Sequence, residues 1–261
     1  MASCEYMVTI SDDTKTIASV ERSLTIIEAL REHKHATVGD LARETELSKS
    51  SVHNHLATLQ KEGYVVKEGD LHRLSLRFLS HGEFVKNQIP MFEIIKEHVQ
   101  SLAAETGENV SVVVEEQGEG VFVYCDNSNH KLPESRVGNR IPLHCTSAGK
   151  AILAELSDEE VNRIFQTNPI EKVTNNTISD KEKLFAELEE IRDCGFAINR
   201  AERIPRLQSA AVSITDQNSS PVCAIAVAGP KHRMKNDRLH SEIPDALLVA
   251  ADKIELNALS E

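Results

Sequence analysis

Ile17, Val20, Leu24, Ile27 and Leu30 recur every three or four residues, an apolar stripe that predicts an amphipathic helix. The stripe stops near His33–His35. Thr37 and Asp40 then have the spacing of a capping box, and Val38, Leu41 and Ala42 supply the buried face of a second helix. After the turn Thr45–Leu47, Ser48 stands as N-cap of a third helix, which buries Val52, Leu56 and Leu59 and stops at Gly63. The period then changes to two. Tyr64–Lys67 and Leu71–Leu76 alternate around Glu68-Gly69-Asp70, a hairpin. Three helices followed by a hairpin are the plan of a winged helix-turn-helix, although a small helical bundle with a solvated polar face has the same spacing.

Helical spacing continues from Leu76 to Asn87, with an interruption expected at Gly82, and breaks at Ile89-Pro90. It resumes with Phe92, Ile95, Val99 and Leu102 and ends at Gly107; this second helix is either a connector or a core helix of the next domain. Beyond it the character turns to strands, Val110–Val114 and Val121–Cys125, then a polar stretch, Asp126–Glu134. Ser157-Asp158-Glu159-Glu160 and Ser179-x-x-Glu182 open two capped helices. The second buries Leu184, Leu188 and Ile191, with Glu187, Glu189, Glu190 and Asp193 as its solvated face. Phe196–Ile198 is a strand, Ser209–Ile214 and Val222–Ala228 form a hairpin across Asp216–Pro221, and Asp245–Ala258 is helical. The expected organisation is a tail over 1–16, a winged helix-turn-helix over 17–80, linker helices over 81–106 and a second domain over 107–261.

Composition narrows the class. The chain has 261 residues, 40% hydrophobic and 27% charged, ordinary for a folded protein of one or two domains. Aromatics are 4% with no Trp, which argues against single-strand binding by base stacking. The longest apolar runs, such as Val110–Val114, are far short of the ~20 residues that span a bilayer, and no leader pattern opens the chain. The expected location is the cytoplasm, without membrane association. Five dispersed cysteines with no CxxC read as reduced thiols. Net charge is −12, yet residues 17–77 hold nine basic and nine acidic side chains. The acid surplus therefore lies outside the first folded segment, leaving that segment free to meet an anionic partner.

The start of the third helix carries Lys49, Ser50, Ser51, His53, Asn54 and His55, all donors or acceptors and none an acid. Such side chains suit base edges and phosphates in a major groove. Ser48 at the cap and Arg73 beside the wing turn complete the candidate DNA contacts.

Several stretches resemble the IclR family of transcription regulators. Ala18–Ile27 is similar to its first helix, Leu47–Leu59 to its recognition helix and Gly63-Tyr64-Val65 to its wing entry, with Asn54 where members usually carry Arg. Gly138–Ala154 resembles the loop and helix that floor the family's effector pocket. Gly195, Glu202, Ser209, Ala211, Ile214 and Asp216 fall at the spacing of its signature, and Cys223–Pro230 looks like the last pocket strand. The resemblance implies an α+β protein: an N-terminal winged helix-turn-helix plus a C-terminal GAF-like α/β effector-binding domain, joined by a linker helix that helps dimerise. It implies a homodimer or homotetramer that binds a double-stranded DNA operator and a small-molecule effector, with no cofactor, no metal and no catalytic residues.

Departures from the family pattern shape the expected pocket. Asn199 stands where an acid or Ser is usual, Ala226 and Ala228 where binders of small keto acids use Ser, and Ser209 where they often use Cys. Helix-start amides at Ser147, Ala148 and Gly149 favour an oxyanion or carbonyl oxygen. With Asn199, Ser209, Ala226, Ala228 and Arg140 as a candidate carboxylate partner, the mix suits a hydroxyl-bearing organic or sugar acid. Gly149-Lys150 is not a phosphate-binding loop, since His144 replaces the first Gly and Ala151 the Ser/Thr. The competing class is a metabolite-binding enzyme, or a Cys-based redox sensor, with an ancillary helical domain. Neighbouring His144 and Cys145 on an extended segment point to opposite sides, poor geometry for a nucleophile and its base. His53 and His55 lack the spacing of a helical metal pair.

Overall fold

The computed structural model describes residues 15–126, 132, 134–216 and 220–258. Most of the tail expected over 1–16 lies outside them, as do Cys4, most of the Asp126–Glu134 stretch and the tip of the Asp216–Pro221 turn. Contacts divide the chain after Gln88 into two compact units, so the division falls within the stretch expected to link them.

The first unit is α1 (Ala18–His33), α2 (Val38–Glu44), α3 (Lys49–Lys61), the strands β1 (Val65–Glu68) and β2 (Leu71–Leu74), and α4 (Arg77–Lys86). Local chemistry sets each boundary. The Thr37 hydroxyl accepts from the Asp40 amide while the Asp40 carboxylate accepts from the Thr37 amide, closing the capping box of α2. The Ser48 hydroxyl accepts from the Ser51 amide at 3.1 Å and caps α3. Gly63 follows α3 at φ 77°, a left-handed turn that favours glycine. The hairpin pairs Val65 with Leu74 and Glu68 with Leu71, and Ala36 bridges to His72 on its other edge.

Ile26, Leu30, Leu41, Val52, Leu56 and Val65 form the core of this unit. Each contributes about 1.5–3 kcal/mol on burial. The stripe expected on α1 is corrected at its N-terminal end. Ile17, Val20 and Leu24 are exposed, and Ile26, Ala29 and Leu30 are buried. The cause is what α1 meets: its earlier inward position, Ser23, is polar and bonds the His55 ring of α3 at 2.9 Å. The interruption expected at Gly82 does not occur, because α4 runs through it. A helical glycine costs only about 1 kcal/mol.

The second unit opens with α5 (Phe92–Thr106), then β3 (Asn109–Glu116), β4 (Glu119–Asp126), β5 (Arg140–Pro142), α6 (Ser147–Ala154), α7 (Asp158–Thr167) and α8 (Lys181–Cys194). It continues with β6 (Ala197–Arg200), β7 (Leu207–Thr215) and β8 (Pro221–Pro230). A π-helical turn, Arg238–Glu242, then leads into α9 (Ile243–Ala258). The sheet is antiparallel throughout, in the order β5-β4-β3-β8-β7-β6. The N-cap of α8 is Asp180, one residue later than expected, its carboxylate accepting from the Lys183 amide.

Alternation assigns the two faces of the sheet. Val110, Val112, Ala210, Val212, Ile225 and Val227 point to one side, where α5 and α9 cover them. Ile95, Val99 and Leu102 of α5 are fully or nearly fully buried there, so α5 is a core helix of this unit. The other side carries small residues, among them Ser111, Asn199, Ser209, Ala211, Ala226 and Ala228. Small side chains let α6 approach closely. A Cβ on Gly149 would lie 2.3 Å from the Leu143 backbone, so only glycine fits this crossing. No helix among the described residues is long and apolar enough to cross a membrane.

Candidate functional site

On the first unit, α3 has no acid in its first turn. Ser48, Lys49, Ser50, His53 and Asn54 are exposed, and Ser51 is half-buried. This face is therefore free for a partner, while Val52, Leu56 and Leu59 hold the helix to its core. His55 is not part of it, since its ring turns back to Ser23. Arg73 is also committed within the hairpin: its guanidinium reaches Glu68 at 2.6 and 2.8 Å, which fixes the wing.

On the second unit, a cavity of about 50 Å³ opens between the small-residue face of the sheet and the start of α6. Ser147, Ala148, Asn199, Ser209, Ala226 and Ala228 all line it. Strand register explains the convergence: Asn199 faces Ser209, which faces Ala228, and Ser111 faces Ala226 on the same side. The Ser147 and Ser209 hydroxyls bond each other at 2.6 Å. The Thr146 hydroxyl caps α6 by accepting from the Gly149 amide. The Ser147 and Ala148 amides, first in the helix, have no intrahelical acceptor.

Asn199 is busier than its sequence suggests. Its side-chain nitrogen donates to the Cys145 carbonyl at 2.8 Å, and its oxygen accepts from the Glu202 amide at 2.9 Å. One donor hydrogen and one lone pair remain. Behind it lies a buried charge cluster. Lys150 Nζ donates to Glu202 at 2.9 and 3.0 Å and to Glu187 at 2.9 Å. Glu187, expected on the solvated face of α8, is instead drawn inward by this ammonium.

Two expected pocket residues are not brought there. Gly149 packs against Leu143. Arg140 is exposed and pairs with Glu116 and Glu119 on neighbouring strands. Residues that sequence reasoning missed take part instead: Ser111, Phe122, Ser135 and above all Arg203. Arg203 is half-buried, and burial lowers its pKa while Cys145 and Glu134 act to raise it. Only the signature spacing around Glu202 points to this turn, and it does not distinguish Arg203 from Arg200 or Arg206.

Cys125, Cys145 and Cys223 are poor nucleophiles. Burial pushes Cys145 up to about 11 and Cys125 and Cys223 up to about 12. The His144 ring is engaged by the Glu171 carbonyl at 2.9 Å. Among the described residues no group of His, Cys, Asp and Glu is placed to hold a metal ion.

Residues 84–256 match the family described as the C-terminal domain of the bacterial transcriptional regulator IclR, and residues 19–69 match the IclR helix-turn-helix domain. The chain is 27% identical over 250 residues to the probable HTH-type transcriptional regulator ArcR of Halobacterium salinarum, covering 94% of this chain and 95% of that protein. It is also 27% identical to the transcriptional repressor IclR of Escherichia coli, over 93% of this chain and 90% of that one. The crystal structure of the Thermotoga maritima IclR has the same fold, with a TM-score of 0.81 at 23% identity over 93% of this chain and 99% of that chain.

Proposed function

This chain belongs to the IclR family of bacterial transcriptional regulators, with a C-terminal ligand-binding domain, and from that premise we propose that a small hydroxyl-bearing organic or sugar acid controls its hold on an operator. The relatives are regulators and not enzymes. Ser48, Lys49, Ser50, Ser51, His53 and Asn54 of α3 meet base edges and phosphates, and the wing with Arg73 lies along the backbone. A single reading head of zero net charge holds DNA weakly, so two copies act together on a palindromic site. Their half-sites lie about one to one and a half helical turns apart.

The observation that carries the effector reading is the chemistry of the cavity. Its lining offers hydroxyls, free helix-start amides and apolar walls, and among the described residues it contains no carboxylate. Filling it shifts the population toward a state with a different affinity for DNA. The test is operator binding by Asn199→Ala and Ser209→Ala with and without a cell extract fraction that changes wild-type binding. Operator binding that no longer responds in these variants supports the pocket. A normal response in both places the effector elsewhere.

A further inference from the structure

We infer that the second unit carries a further binding site, separate from the effector pocket, for a small organic cation with N–H donors: a primary amine or a guanidinium compound. A cavity of about 250 Å³ lies between the β3–β4 turn, Leu143 and His144 ahead of α6, and the end of α7 with the chain that follows it. It shares no lining residue with the cavity beside the start of α6. One wall is fixed by Asn168, the C-cap of α7, whose side-chain nitrogen donates to the Gln117 carbonyl at 3.1 Å and ties the helix end to the turn.

The side-chain atoms left over in this cavity are acceptors. His144 is buried, 3% exposed. Its Nε2 donates to the Glu171 carbonyl at 2.9 Å, since a carbonyl only accepts. In the neutral ring Nδ1 is then an acceptor, and no described residue bonds it. The Asn168 nitrogen is spent on Gln117 and on the Thr167 hydroxyl, which leaves the amide oxygen. Glu119 keeps only a 3.4 Å contact to Arg140, whose closer partner is Glu116. Glu171 adds a second carboxylate at the exposed rim. Among the described residues no Lys or Arg lines the cavity. An anion would meet two carboxylates there with no cation to offset them. An ammonium brings three donors and no acceptor, and a guanidinium five, so either satisfies these atoms without conflict. Their bonds to a carboxylate are of the strong, charge-assisted kind. Phe165 supplies an aromatic ring beside them, and Leu143 and Val173 meet the carbon chain.

The test is a calorimetric titration of the full chain at one fixed salt concentration, with putrescine, agmatine and guanidinium as probes. Tetramethylammonium keeps the charge without an N–H donor, and urea keeps the donors without the charge. At least one of the three probes is expected to bind at one site per chain, roughly tenfold or more tighter than either comparison. Glu119→Gln combined with Glu171→Gln, both outside the core, is expected to weaken that probe roughly ten- to hundredfold. His144→Phe, which keeps a ring beside Phe165 and removes the acceptor, weakens it roughly tenfold. Glu190→Gln, on the exposed face of α8, binds as the parent does, which separates a built site from general attraction to a chain of net charge −12. The inference is overturned if no probe binds at one site per chain, or if tetramethylammonium or urea binds as well. It is also overturned if the double variant or a folded His144→Phe binds unchanged, or if Glu190→Gln weakens binding as much as the double variant does. The double variant decides the matter where the unfolding curve of His144→Phe shows that it does not fold.

Discussion

Lys150 shows how much of the pocket wall hangs on one side chain. It is fully buried, and its ammonium joins α6 to Glu202 in the turn after β6 and to Glu187 on α8. Glu202 in turn accepts from the Arg200 amide, and its own amide donates to Asn199, which reaches back to the Cys145 carbonyl. Removing the ammonium leaves a buried carboxylate uncompensated. Lys150→Ala should therefore cost about 3–5 kcal/mol in denaturant unfolding. Lys150→Met combined with Glu202→Gln should recover part of that loss, because it removes both charges. A cost below about 1 kcal/mol for Lys150→Ala would contradict this account. The sequence hides such a residue. Lysine is almost never fully buried without a partner, and its partners lie 37 and 52 positions away. Asn199, Ser209, Ala226 and Ala228 were legible because strand alternation and the family resemblance point to the same face. Arg203 was not, because Arg200, Arg203 and Arg206 fall close together at the end of β6 and in the irregular turn after it, and only packing selects among them.

At the scale of elements, the capping boxes of α2 and α7, the α3 core positions and the β7–β8 hairpin follow directly from local pattern, since each is decided within a few residues. The orientation of α1 does not. Its apolar period is satisfied by two overlapping stripes, and the core takes Ile26, Ala29 and Leu30. Ile17, Val20 and Leu24 are left 67%, 53% and 56% exposed along one line of the helix. Three aliphatic side chains at that spacing are a face that water covers poorly, at about 1.5–3 kcal/mol each when buried. A second copy of the chain covering them would bring two reading heads together, consistent with the dimer proposed above. Leu24→Glu should then shift the protein from dimer toward monomer in sedimentation at micromolar concentration, with α1 still helical. An unchanged dimer would place the interface elsewhere.

At the scale of the molecule, the division of labour follows the charge distribution. Residues 17–77 are neutral overall, while the remainder carries the net charge of −12. The acid-rich part is thus unsuited to DNA, and the start of α3, with no acid in its first turn, exposes the side chains proposed above to read bases. Asn54 and Lys49 point away from Val52, Leu56 and Leu59, so their replacement spares the core. The most direct measurement is a titration of the full chain, at one fixed salt concentration, against the DNA upstream of its own gene. Wild-type protein should protect a palindromic site, and Lys49→Ala and Asn54→Ala should each weaken that binding by about 1–3 kcal/mol. Unchanged affinity in both variants, or no protected site with the wild-type protein, would contradict the account.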